Sequence, residues 1–183
     1  DQKLFGELIK FVFRREFENQ SKTNWKQILD RWAKIFWGVH SREEKEDELK
    51  FNKSHIGLKQ FYEWYLKLES KVLAVNFNLK VPIYIHQLVG EIPVVLSNSN
   101  DTVTLILNQP LQRPNEVKWA AAVRYLSMAF DQTITVSRII NLSLINYKVF
   151  AANTFVPDKR FWESALLDFL GIAQNLHDGV SYP

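Results

Sequence analysis

LVGEIPVVLSNSNDTVTLILNQ, residues 88–109, is the stretch whose reading decides the fold. Two runs rich in β-branched and aliphatic residues, 92–96 and 103–107, flank the polar break Ser97-Asn98-Ser99-Asn100-Asp101. This pattern predicts a β-hairpin. Residues two apart on a strand share a face, so Ile106 and Asn108 are expected on one side of the second strand.

Periodicity predicts helices on the N-terminal side. Residues 1–20 place Leu4, Phe5, Leu8, Ile9, Val12, Phe13 and Phe17 on one stripe, as an amphipathic helix requires. Thr23 is the expected N-cap of a second helix over 24–37, with Trp25, Ile28, Leu29, Trp32, Ile35 and Phe36 at helical spacing. The mixed-charge run 41–53, SREEKEDELKFNK, reads as an exposed loop or helix start. A third helix is expected over 54–70, feeding a strand over 71–83. Beyond the hairpin, Pro110 and Pro114 bound a connector. A helix over about 115–130, strands over 133–144 and 145–150, and a helix over 158–175 complete the reading.

Composition sets the limits. With 183 residues and 46% hydrophobic content, one domain over 1–183 is expected, its first 70 residues or so helical. The lack of an initiator Met reads as a piece of a larger chain. Without cysteine there are no disulfides, thiolate metal sites or cysteine nucleophiles. The four histidines show no metal-binding spacing, and phosphate-loop, dinucleotide and serine-elbow motifs are absent. No apolar run is long enough to span a membrane and no signal pattern precedes the first helix, so an intracellular protein, cytoplasmic or nucleoid-associated, is expected. The formal charge of +3 is too small to identify a nucleic-acid partner, which would need basic residues gathered on one face.

The order of elements and several motif positions resemble the PD-(D/E)xK nucleases, in particular their RecB-like branch, from Gly6 to Pro183. The resemblance implies an α/β fold, a mixed central sheet flanked by helices with a restriction-endonuclease-like core. The family opens with Gly-x-x-Ile-His, and this chain has Gly6-Glu7-Leu8-Ile9-Lys10. The family's Val-Glu pair corresponds to Val75-Asn76, its Gly-x-Ile-Asp to Gly90-Glu91-Ile92-Pro93, and its (Asp/Glu)-x-Lys to Ile106-Leu107-Asn108. In the family's Gln-x-x-x-Tyr, Tyr125 is present while Ala121 stands in place of the glutamine. A hydrolytic Mg or Mn site needs hard anionic oxygen ligands that lower the pKa of bound water. Lys10, Asn76, Pro93, Ile106 and Asn108 supply none, so the resemblance implies a degenerate metal site, no cofactor and no catalysis.

Three functions follow from the resemblance. One is a structural or protein-interaction module in a multi-subunit or multidomain nucleic-acid-processing assembly, as in RecB- and AddB-type helicase–nuclease complexes, with Phe36, Trp37, Trp64 or Trp162 as an exposed aromatic partner face. Another is a DNA- or RNA-binding module that uses Lys10, Arg14, Lys80, Lys118 and Arg124 along the former substrate cleft. The last is an active nuclease with relocated ligands at Glu7, Glu91 and Asp101. Here Glu91 is expected on the strand face away from the motif and Asp101 in the turn.

Overall fold

The structure is a computed structural model. It describes residues 2–83, 86–109, 135–156, 160, 167 and 171, and for 79–90 it describes strand backbone alone. Three helices come first: α1 (Gln2–Asn19), α2 (Trp25–Trp37) and α3 (Lys45–Leu66). Five strands follow, β1 (Lys71–Ile83), β2 (His86–Ser97), β3 (Val103–Leu107), β4 (Val136–Ile145) and β5 (Val149–Phe155). They form one sheet in the order β1-β2-β3-β4-β5. The first three make an antiparallel meander, β4 lies parallel to β3, and β5 returns antiparallel to β4.

The expected hairpin forms with the register Val94↔Ile106 through Ser97↔Val103. Asn98 N–H donates to Thr102 O at 2.9 Å across the turn, and Asp101 takes the left-handed φ of 62° that closes it, a conformation short polar side chains tolerate. A parallel β3–β4 neighbour needs a crossover rather than a tight turn, and residues 108–135 are long enough to make one.

α1 buries Leu4, Phe5, Leu8, Ile9, Val12 and Phe13 at the spacing of one helical face. These side chains meet Ile28, Trp32 and Phe36 of α2, Leu58, Phe61 and Tyr65 of α3, and Val94, Leu96, Ile106, Ile140, Leu142 and Leu144 of the sheet in one core. A second apolar cluster forms around Ile92, Val95, Leu105, Leu107 and Ile139. Because Val94 and Val95 are neighbours on β2 and go to different clusters, the two clusters occupy opposite faces of the sheet.

Several boundaries differ from expectation. The N-cap of α2 is Asn24, whose Oδ1 accepts from Gln27 N–H at 2.9 Å while Gln27 Oε1 accepts from Asn24 N–H at 3.1 Å, a reciprocal capping box. Thr23 is buried instead, donating from its hydroxyl to Val12 O at 2.7 Å and from its N–H to the Tyr65 hydroxyl at 2.9 Å. The charged run 41–53 contributes more than two turns of α3, since Glu46, Asp47 and Glu48 fall in its first turn, where the helix dipole favours acids. Asp47 also accepts from Ser41 N–H and pairs with His40 at 3.4 Å. The last hairpin turns at residues 146–148 rather than at 144/145. Asn146 and Tyr147 both have positive φ, 49° and 63°, so the turn chemistry moves β5 to Val149–Phe155. The helix expected over 115–130 lies outside the described residues, as does Tyr125, and of the one expected over 158–175 only residues 160, 167 and 171 are described, each of them helical.

Candidate functional site

α1 packs across the sheet and touches several strands. Its Gln2 reaches β4, its Gly6 lies on the residue after β3, and its Lys10 reaches β2. Two of these contacts, Gly6 on Asn108 and Lys10 on Glu91, fall at or beside the places where the sequence resemblance expects the metal site.

Asn108, which the sequence resemblance sets at the family's lysine, is held by α1. Its Nδ2 donates to Gln2 O at 2.8 Å, and its Oδ1 accepts from Gln2 Nε2. Gln2 Nε2 also donates to Leu142 O at 2.9 Å. The helix can approach this closely because residue 6 has no side chain, since a Cβ there would lie 2.2 Å from Asn108 Nδ2. Asn141, fully buried in β4, extends the ladder beyond β3: its Oδ1 accepts from Gln109 N–H at 2.7 Å and its Nδ2 donates to Gln109 O at 3.1 Å. Every buried amide in this group has a partner, as the high cost of an unpaired one demands.

Ile106, which the sequence resemblance sets at the family's second acid, is fully buried beneath α1 and pairs with Val94. Asn76 on β1 has φ 60° and is exposed. The register Val75↔Val94 and Phe77↔Ile92 sets it opposite Pro93 on β2. Asn76, Pro93 and Ile106 thus lie on three adjacent strands next to one another.

Side-chain alternation breaks at Asn76 and Pro93. Val75 and Val94 belong to the cluster under α1, whereas Phe77 and Ile92 belong to the opposite cluster. In a regular strand both residues of each pair would share a face. The left-handed Asn76 and the proline, which offers no N–H to the ladder, together form the kink, and the β2–β3 pairing is recorded only from Val94 onward. One result corrects the sequence reading: Glu91 does not point away from the motif. It faces α1, and its Oε1 lies 2.6 Å from Lys10 Nζ.

Of the remaining sequence candidates, Arg14 is exposed one turn further along α1, Glu7 is exposed, and Asp101 sits in the β2–β3 turn. Lys80 is on β1 opposite Val89, with its side chain outside the described residues, as are Lys118 and Arg124. Of the residues expected on an aromatic partner face, Phe36 is corrected by the structure, because it packs in the core and presents no surface. Phe36 is fully buried at the centre of an aromatic group with Trp32, Trp37, Phe51 and Tyr147. Trp37 and Trp64 are half-buried against the same core, while Trp162 lies outside the described residues. Among the described residues no three acids or histidines converge in a way that could hold a metal ion, and no helix is long and apolar enough to cross a membrane.

Sequence reasoning missed Gln2, Asn141 and Ser143. Asn141 could have been found, because it is a lone amide inside the apolar run IINLSLI of β4, and a buried amide must be paired with something.

The opposite end of the sheet carries a separate polar network. Asn98 Oδ1 accepts from Ser70 Oγ at 2.6 Å, and Asn98 Nδ2 donates to Thr102, Thr104 and Ser137 at 3.0–3.1 Å. It borders a groove of about 750 Å³ between the α3–β1 connection, the β2–β3 turn and the start of β4.

No protein-family model matches the sequence, and no curated protein matches it. Among solved structures, the chain is similar to that of a protein from Eubacterium rectale provisionally designated an exonuclease. The TM-score is 0.50 and the identity 8%, over 96% of this chain and 70% of the other. The mixed sheet with its packed helices is therefore an α/β fold of the kind that structure has.

Proposed function

We propose that this chain is a nuclease-like domain of the RecB-like branch that has lost its metal site and acts as a structural or protein-interaction module in a nucleic-acid-processing assembly. The observation that carries this reading is the occupation of the motif positions. Ile106 is buried where an acid would hold the ion, and Asn108 is fastened to the first turn of α1. The carboxylate that reaches this place, Glu91, is neutralised by Lys10 at 2.6 Å. A single carboxylate engaged with an ammonium is a poor ligand for Mg or Mn, which are held by several hard oxygens. The same ion pair weighs against Lys10 as a phosphate contact, because its charge already has a partner.

The test is direct. Labelled single- and double-stranded DNA incubated with the purified protein and Mg or Mn should remain uncut, and calorimetric titration with either ion should give no saturable heat. Proteins that co-purify from the native source should stay bound after nuclease treatment. Metal-dependent cleavage that disappears in Glu91→Gln would overturn the reading in favour of an enzyme with relocated ligands. Co-purification that nuclease treatment abolishes would instead favour nucleic acid as the direct partner.

A further inference from the structure

The two edges of the sheet are built differently. β1, at one end of the strand order, carries a bulge between Val72 and Ala74 and the left-handed Asn76, and α1 packs against it. Bulges and covering elements keep a sheet edge from pairing with another chain. β5, at the other end, has neither a bulge nor a charge. Its register with β4 runs unbroken from Ile145↔Val149 to Ile139↔Phe155, and residues 149–156, VFAANTFV, contain no Lys, Arg, Asp, Glu or Pro.

Alternate residues of this edge turn their backbone outward. Phe150 N–H points away from β4, because it donates to Gln60 Oε1 of α3 at 3.0 Å. In an antiparallel ladder the outward positions recur at every second residue, so the N–H and C=O groups of Ala152 and Thr154 face outward as well. Among the described residues no acceptor meets either of these N–H groups. Val149 and Val156, at the two ends of this stretch, are 46% and 64% exposed, which adds apolar surface to an unpaired edge.

We propose that β5 pairs antiparallel with β5 of a second copy of this chain, making one sheet across a two-fold axis at Ala152. The sequence of the strand selects that occupant. β5 spans Val149–Phe155, so its midpoint is Ala152, an outward position. A two-fold axis sets the residue on it against itself, where a charge or a bulky side chain would be opposed by its own copy, and that residue is an alanine. On either side, Thr154 meets Phe150 and Val149 meets Phe155 of the other copy, pairs of β-branched and aromatic residues that favour cross-strand packing. No like charges come together along the strand. The Ala152 N–H and C=O groups bond across the axis, and each Thr154 N–H reaches the Phe150 carbonyl of the other copy while Gln60 keeps the Phe150 N–H. A contact of this kind closes at two copies.

The test is sedimentation equilibrium on the whole chain, with amide hydrogen exchange at low and high protein concentration. A dimer whose share rises with concentration is expected, with exchange slowed at Ala152 and Thr154. Ala152→Pro removes an outward N–H and leaves the bonds to β4 in place, so it should keep the circular dichroism of the chain and weaken dimerisation by about tenfold or more. Thr154→Lys puts a charge on the edge at an exposed side chain and should weaken it likewise, independently of any effect of proline on folding. A chain that stays monomeric at every concentration, or a dimer unchanged in either variant, overturns the proposal. Neither result bears on the metal-site reading, whose residues belong to α1, β1, β2 and the end of β3.

Discussion

The close approach of α1 to β3 can be tested at Gly6. In Gly6→Ala the new Cβ would lie 2.2 Å from Asn108 Nδ2 and 3.3 Å from its Cγ. The amide would have to rotate away, breaking its bonds to Gln2 O and Gln2 Nε2. Two hydrogen bonds at about 1 kcal/mol each and overpacking of about 1–3 kcal/mol oppose a helix-propensity gain of about 1 kcal/mol for alanine. The sterics win, and a net loss of about 2–4 kcal/mol is expected. Part of the loss is cushioned because Gln2 Nε2 keeps Leu142 O at 2.9 Å. Asn108→Ala reverses the sign, since the Cβ at position 6 then meets only the Cβ of residue 108 at 3.9 Å, an ordinary contact, and the substitution becomes neutral or stabilising. Urea denaturation of the two single variants and the double variant measures this, with an expected coupling of about 2 kcal/mol or more. Effects additive to within about 0.5 kcal/mol would refute the close-packing account.

Other outcomes follow from the same structure. Gly57→Ala should be worse tolerated than Gly6→Ala in the Asn108→Ala background, because its Cβ would lie 2.4 Å from Leu144 Cδ1 and 3.1 Å from the Lys148 carbonyl. Backbone cannot rotate aside, so a loss of about 2 kcal/mol or more in urea midpoint experiments is expected. Trp32→Phe removes the 2.8 Å bond from Nε1 to the buried Ser54 hydroxyl and should cost about 1–2 kcal/mol by the same assay. Tyr65 is held well above its ordinary pKa of 10.0, by burial first and then by the Glu16 carboxylate, against the lowering effect of the Thr23 N–H. Because the unfolded phenol ionises first, its contribution to stability is complete below pH 10 and is lost as pH rises beyond that. Tyr65→Phe should lower stability at neutral pH yet flatten its decline in alkaline solution, as urea midpoints across that range would show. The Lys10–Glu91 pair, with side chains 30% and 43% exposed, should give a coupling of about 0.2–1 kcal/mol in a double-mutant cycle of Lys10→Ala and Glu91→Gln, and less in high salt.

Much was legible locally. The apolar spacing of α1, the β2–β3 hairpin and the extent of β1 all follow from side-chain period and turn chemistry, which act over a few residues. The errors are also local competitions. Asn24 displaced Thr23 as N-cap because Gln27 could complete a capping box with it, leaving Thr23 free to bond Val12 across the helix pair. The charge run 41–53, which reads equally as an exposed loop or a helix start, is a helix start from Lys45 onward, with its acids in the first turn of α3.

By itself the sequence determined the order of the described elements, the α/β class and the neutral or cationic residues at the motif places, since all of these depend on residue type and near-neighbour spacing. Only the tertiary structure decided which way Glu91 points, why residue 6 is glycine, and where the Asn98 groove opens. Each of these rests on residues brought together from different strands and helices: the coupled kink at Asn76 and Pro93 turns Glu91 toward Lys10, and the crossing of α1 over β3 leaves no room for a Cβ. Contacts between chain segments a hundred residues apart leave no periodic trace in the sequence, because they are fixed by how the sheet twists and where the helix crosses it.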